Sequence, residues 1–195
     1  YKKLTRKLPL KSKVHCMGLP RFTALKYFSK AKKVDFNKII AEQLLRKQAR
    51  NKLWKNPLII KSYSALMYLV ERCRFAKYYD LLQSESPQAL VIWNGNKLPN
   101  VTVCMAAKAL GVTTYFYENG LLPGTTSLDP KGINFAASVP RDSQFYLNFD
   151  PQRKLPFSAP DLIPRAAHKK RCKFDAIELP KKYLFVPFQV PHDTQ

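Results

Sequence analysis

Glycine is scarce in this chain, with 6 among 195 residues against 15 prolines. That count excludes a collagen-like repeat and a flexible low-complexity chain. Acidic residues are also few: 13 Asp and Glu face 34 Lys and Arg, for a formal net charge of +21. An electrically indifferent surface is excluded, and anionic partners are expected: nucleic acid, an anionic membrane face, or substrates bearing phosphate or carboxylate. The four cysteines, Cys16, Cys73, Cys104 and Cys172, include no CxxC pair. They are too sparse for a secreted disulfide framework and read as reduced thiols of a cytosolic protein. His168 and Cys172 stand four apart within His168-Lys169-Lys170-Arg171-Cys172. Cationic neighbours oppose a divalent ion and no second pair exists, so no metal is expected. No apolar run approaches the ~20 residues of a membrane span. Internal repeats are absent. The chain opens at Tyr1 without a Met, shows no leader, and is expected to be a piece of a longer protein.

What is present argues for a folded α/β protein. The composition is 46% hydrophobic and 12% aromatic, too apolar for a wholly disordered chain. The length suits one domain, or one and part of another. Residues 1–55 carry 17 Lys and Arg against 2 acids, so the first quarter holds most of the excess charge. A helix is expected over 35–53, with Asp35 as N-cap and Ile39, Ile40, Leu44, Leu45 and Leu53 as an apolar stripe. Asn56-Pro57 breaks it. A second helix is expected from about Ile59 to Leu82, with Leu66, Leu69, Val70, Cys73, Phe75 and Leu81 on its apolar side. The expected division is a basic, mainly helical segment at 1–56 and a Rossmann-like α/β domain at 57–195.

From Ala89 the pattern changes. Ala89–Trp93 (ALVIW) reads as a buried parallel strand. Asn94-Gly95-Asn96 is a turn, Leu98–Leu110 a helix with Pro99 near its start and Gly111 past its end, and Val112–Tyr117 the next strand. This strand–turn–helix–strand order is the unit of an open parallel sheet. Ile133–Ala137 is a weaker strand candidate. Residues 150–181, broken by five prolines, read mostly as loop. Tyr183–Phe188 is a further strand candidate with Pro187 at its end.

Open α/β sheets bind ligands beyond the carboxyl ends of their strands. Three loops leave such ends: Trp93-Asn94-Gly95-Asn96, Glu118-Asn119-Gly120, and Gln189-Val190-Pro191-His192-Asp193. If the strands are neighbours, Glu118 and Asp193 face one crevice, and paired carboxylates suit glycosyl chemistry. A carboxylate after a strand is more often a helix N-cap or a turn former, and spacing does not decide between these.

The stretch Tyr117-Glu118-Asn119-Gly120-Leu121-Leu122-Pro123, then Leu128-Asp129-Pro130-Lys131-Gly132-Ile133-Asn134, then Ser138-Val139-Pro140-Arg141-Asp142, resembles the bacterial capsule polysaccharide synthesis family (KpsC/LipA type). Phe185-Val186-Pro187-Phe188-Gln189-Val190-Pro191-His192-Asp193-Thr194 resembles that family's P-x-Q-x-x-x-D-[TS] block, and Trp93-Asn94-Gly95 fits as well. The resemblance covers roughly 89–195. It implies a retaining β-Kdo glycosyltransferase that takes Kdo, an acidic eight-carbon sugar, from CMP-Kdo to a lipid-linked glycan on the cytoplasmic membrane face, in capsule or lipopolysaccharide assembly. It implies a GT-B-like fold of two Rossmann-type halves, of which this chain is the first, acceptor-side half. The family's His-Pro motif, in the nucleotide-binding half, is absent from these residues. By the same resemblance Asp193 is the nucleophile and Glu118 the acid/base. No cofactor is implied beyond the donor sugar nucleotide.

Around that pair, Trp93, Asn94, Gly95, Asn119 and Gly120 are candidate cleft residues. Gln189 is a candidate partner for sugar hydroxyls, and Asp129 a third site carboxylate or a turn former. Arg141 either pairs with the Kdo carboxylate or makes an ion pair with Asp142. His192 beside Asp193 lacks the Gly-x-Ser-x-Gly elbow a serine triad would need. The basic segment at 1–55 suits peripheral contact with an anionic membrane surface, or is simply a solvated helical face. Nucleic acid is disfavoured, because no RRM, KH, zinc-finger or helix-turn-helix signature accompanies the charge. Two rivals to the transferase remain: a non-catalytic capsule polysaccharide binding or export protein, and a basic nucleic-acid-binding domain.

Overall fold

The structure is a computed structural model that describes residues 11–16, 18, 22–120, 125–150, 180–182 and 184. The chain divides into two compact units. The first, residues 1–88 with 97–112, is helical among its described residues, and the second, 89–96 with 113–195, holds the sheet.

The first described element of the helical unit is a 3-10 helix, Phe22–Lys33. Asp35 then caps α1 (Phe36–Arg50), its carboxylate accepting from the Lys38 N–H at 3.1 Å, as the sequence suggests. Phe36, Ile40 and Leu44 recur at every fourth position and are buried. The expected stripe was broader: Leu45 and Leu53 are exposed instead, and the helix ends at Arg50. Two asparagines punctuate the chain beyond Arg50. Asn51 Oδ1 accepts from Leu53 N–H, opening a 3-10 turn at Lys52–Lys55, and Asn56 Oδ1 accepts from Leu58 N–H, opening α2 (Pro57–Glu85). Pro57 at the first turn lacks only an N–H that would be unpaired there.

The 29 residues of α2 run ~44 Å at 1.5 Å per residue. Its second half is core. Cys73, Phe75, Ala76, Tyr78 and Leu82 are buried, and Phe75 meets Phe36 edge-to-face at 6.3 Å. Leu66 and Leu69, expected on the apolar side, are exposed. The α2 C-terminus turns through Ser86 in the left-handed region. In α3 (Asn100–Ala109), Val103, Ala106 and Ala107 are buried, and the small alanines allow close approach to α2. Gly111, at φ +71°, closes the turn after α3, where a residue with a Cβ would be strained.

Among the described residues of this unit one charge is buried. Glu71 on α2 is fully buried, ion-paired to Arg74 one turn on, and accepts from the Thr102 hydroxyl of α3 at 2.6 Å. Thr102 is fully buried too. A buried carboxylate persists only when its lone pairs are matched in this way. On α3 burial pushes the Cys104 thiol up to about 12, so it packs as an apolar group rather than as a thiolate.

In the sheet unit, β1 (Ala89–Trp93) and β2 (Thr113–Asn119) pair in parallel, Ala89 opposite Thr113 and Trp93 opposite Tyr117. The β1–α3–β2 order matches the expectation. The strand β3 (Thr126–Asp129) was not anticipated. It lies antiparallel to β2, Phe116 opposite Asp129 and Asn119 opposite Thr126. The described sheet is therefore three-stranded, mixed, in the order β1-β2-β3, rather than wholly parallel. Only Ile92 of β1 is buried, so the fully buried strand implied by ALVIW is not observed. The strand expected at Ile133–Ala137 is instead a 3-10 turn, Asn134–Ala136, with Asn134 at φ 52°. A short helix, α4 (Ser143–Leu147), comes next, capped by Asp142. Of the strand candidate at 183–188 only Leu184 lies among the described residues, and it belongs to no strand. The structure is α/β.

Candidate functional site

The carboxyl ends of β1 and β2 lie side by side because the strands are parallel and in register. One residue beyond the Trp93–Tyr117 pair, the chain leaves β1 through Asn94 and Gly95, both at positive φ (62° and 73°). Asn is among the few non-glycine residues that tolerate this region, and Gly adopts it freely. The Asn94 N–H donates to Tyr117 O at 3.0 Å, which extends the β1–β2 ladder by one bond. Its side chain then works in two directions. Oδ1 accepts from Asn96 N–H at 3.2 Å and fastens the turn, while Nδ2 donates to Glu118 Oε2 at 2.9 Å.

Glu118 is thus a partly buried carboxylate at the end of β2, with one oxygen on the Asn94 amide and the other on its neighbour Asn119 N–H at 3.3 Å. No cation pairs with it among the described residues. Each oxygen keeps unused acceptor capacity, since a carboxylate offers about four lone-pair sites. A positioned acceptor of this kind takes a proton from a hydroxyl brought within reach. Beside it Trp93 packs edge-on against Tyr117 at 5.1 Å. Gly120 turns the chain off β2, its N–H on Thr125 O at 2.8 Å. A Cβ there would lie 2.9 Å from the Thr125 carbonyl carbon, so no larger residue fits without moving β3.

Of the residues singled out from the sequence, the structure brings Trp93, Asn94, Gly95, Glu118, Asn119 and Gly120 to one end of the sheet. Gln189 and Asp193 lie outside the described residues, as do His168, Cys172 and His192. Asp129 has other work. Its Oδ1 accepts from the N–H groups of Lys131 (2.7 Å) and Gly132 (3.1 Å), and its Oδ2 from the N–H (2.8 Å) and hydroxyl (2.6 Å) of Ser138. It fastens the loop between β3 and α4, as the turn reading of Asp-Pro-Lys-Gly implies. Arg141 stacks over the Phe135 ring at 3.9 Å and donates to the Phe135 carbonyl. Asp142 accepts from Gln144 N–H at 3.0 Å as the α4 cap, so of the two alternatives for Arg141 the ion pair with Asp142 is not formed, and each residue makes its own local contact. Sequence reasoning missed that Asn94 and Glu118 bond to each other. The Asn-Gly turn after an apolar strand was the available signal. No group of three or more His, Cys, Asp or Glu among the described residues is placed to hold a metal ion.

The Asp129 geometry carries a pH prediction. Burial is the largest single influence and raises its pKa, but the Ser138 hydroxyl and the N–H groups of Lys131, Ser138 and Gly132 together outweigh it and hold the pKa down at about 2. A carboxylate with a lowered folded pKa stabilises the fold above its ordinary value, and that stabilisation is lost as pH falls toward the folded value. Amide-exchange protection of Lys131, Gly132 and Ser138 is therefore expected to hold at pH 5 and above, and to fall between about 4 and about 2. A carboxyl NMR titration of Asp129 centred near 4 would contradict this.

No family model matches the chain, and no solved structure does. Protein FixF of Sinorhizobium fredii (strain NBRC 101917 / NGR234) is 33% identical over 174 residues, covering 84% of this chain and 40% of that protein. The chain thus spans about two fifths of the length of that curated relative, to which it is similar along most of its own extent.

Proposed function

We propose that this chain is the acceptor-side, Rossmann-like half of a GT-B-like glycosyltransferase that moves Kdo from CMP-Kdo to a lipid-linked glycan with retention of configuration. Its place of work is the inner face of the cytoplasmic membrane, peripherally attached. The observation that carries this reading is the Glu118 carboxylate, presented at the carboxyl ends of two parallel strands and steered by the Asn94 amide. Motif resemblance at 117–142 and 185–194 supplies the sugar class.

The chemistry rests on two carboxylates. Asp193 attacks the anomeric carbon of Kdo, and the C–O bond to CMP breaks with its electron pair leaving on the phosphate. CMP departs as a stable anion, so this step needs no general acid. An acceptor hydroxyl then attacks the same anomeric carbon, Glu118 takes the hydroxyl proton, and the C–O bond to Asp193 breaks with its electron pair leaving on the restored carboxylate. Two inversions give retention. Asn94 holds Glu118 through a bond to its charged form, and the oxygen's remaining capacity receives the proton.

Intact-mass measurement on the protein with CMP-Kdo and no acceptor tests the reading. An increment of one Kdo residue on Asp193, absent from Asp193→Ala, is expected. A non-catalytic polysaccharide-binding protein would bind glycan with no increment, and a nucleic-acid-binding protein would bind duplex DNA in a salt-dependent way instead.

A further inference from the structure

The first half of α2 carries apolar residues on two opposite sides. Ile60, Tyr63 and Met67 face inward and are partly covered. On the other side, at 3.6 residues per turn, Leu58, Ser62, Ala65, Leu66 and Leu69 fall within about 100° of arc. All five are exposed, with Leu58 at 74%, Leu66 at 60% and Leu69 at 54%. A surface helix normally shows polar residues there. Lysines border the stripe: Lys61 beside it, Lys52 and Lys55 in the turn that leads into the helix, all exposed. None of the three joins an ion pair among the described residues. Between Glu42 and Glu71 the sequence has no acid, and Glu71 is buried.

We infer that this stripe is a shallow membrane-contact face for an anionic lipid surface, with Leu58, Leu66 and Leu69 entering the acyl boundary and Lys52, Lys55 and Lys61 meeting headgroup phosphates. Charge complementarity selects the occupant. Leucines flanked by lysines without acidic partners match an interface that offers hydrocarbon and phosphate at adjacent depths. A nucleic-acid backbone matches the lysines and leaves the leucines in water. No described helix is long and apolar enough to cross a membrane, so α2 lies along the surface. The basic charge of residues 1–55 was the sequence's only pointer to such a contact. The structure adds the apolar half of the face, just beyond that segment. This inference rests on the membrane-surface part of the proposed function.

Co-sedimentation of the full chain with phosphatidylcholine vesicles containing about one-third phosphatidylglycerol tests it. Binding is expected, and about tenfold weaker binding on pure phosphatidylcholine. About tenfold weakening is likewise expected for Leu66→Ser/Leu69→Ser and for Lys52→Gln/Lys55→Gln/Lys61→Gln, at unchanged circular dichroism. A Trp placed at Leu66→Trp is expected to be quenched by brominated lipid, which reads insertion without any loss-of-binding variant. Absence of vesicle binding, undiminished binding of the leucine variant, or an unquenched Trp overturns the proposal. So does duplex DNA binding that the lysine variant abolishes and the leucine variant leaves intact. No donor sugar enters the assay, so its failure leaves the transferase reading standing, and an inactive transferase leaves this one standing.

Discussion

Glu118→Ala is expected to lower acceptor turnover by roughly 10²- to 10⁴-fold, the usual contribution of a positioned general base. The two half-reactions should respond differently. CMP release needs no proton transfer, so the sugar–Asp193 ester forms at close to its normal rate. The second step loses its base, so the ester accumulates. Azide carries no proton to remove, and adding it should restore turnover in Glu118→Ala with Kdo azide as product. A merely structural Glu118 predicts something else. Its loss would loosen the turn at Asn94, depress both half-reactions, and leave nothing for azide to rescue. Asn94→Ala offers the intermediate case. It removes the 2.9 Å bond to Glu118 Oε2 and the fastening of Asn96, while the backbone bond to Tyr117 remains available. Turnover should fall by about tenfold, the scale of one hydrogen bond to a charged group. Rescue of Asn94→Ala by Asn94→Asp is not expected, because a second carboxylate would repel the first.

The largest stability effect is expected at Glu71. Glu71→Ala strips Arg74 of its ion-pair partner and the buried Thr102 hydroxyl of its acceptor. Breaking one side of a buried pair costs about 3–5 kcal/mol. Arg74 is 16% exposed at its side chain and can recover some hydration, which places the loss near ~3 kcal/mol. Thermal unfolding of the helical unit should drop by roughly 10 °C. Thr102→Val alone should cost about 1 kcal/mol, and the two losses should not add, since both remove the same hydrogen bond. Replacing the pair together, as Glu71→Leu/Arg74→Leu, should recover most of the loss, because no uncompensated charge is left. A Glu71→Ala protein as stable as its parent would show that the carboxylate reaches water.

Much of the local structure was legible. Ala89–Trp93 matches β1 at both ends, because a five-residue apolar run bounded by Gln88 and an Asn-Gly turn leaves few alternatives. The Asp35 cap was readable for the same local reason. Burial was less so. Leu45, Leu53, Leu66 and Leu69 fit a helical stripe as well as Phe36 and Ile40 do, yet they face solvent. Periodicity identifies a face and not what covers it. Four-residue β3 escaped notice because Thr-Ser-Leu-Asp has little apolar content, and its pairing comes from the neighbouring β2 strand. Ile133–Ala137 looked strand-like, but Asp129 ties Ser138 back toward its own loop and leaves a tight turn between. Glu71 carries no sequence signal at all. Its burial depends on Thr102, some thirty positions on. In the candidate site, Glu118 and its loop were legible as a strand end, whereas the Asn94 bond required the register of β1 on β2.

The central claim is that the Glu118 carboxylate completes a transfer begun on Asp193. Glu118→Gln keeps the shape of the site and removes the base. Its intact mass, recorded after mixing with CMP-Kdo and acceptor glycan, tests the claim most directly. The expected result is a persistent increment of one Kdo residue, located on Asp193 by peptide mapping, while the parent protein returns to its own mass. A Glu118→Gln protein that turns over acceptor at the parent rate with no increment would contradict it.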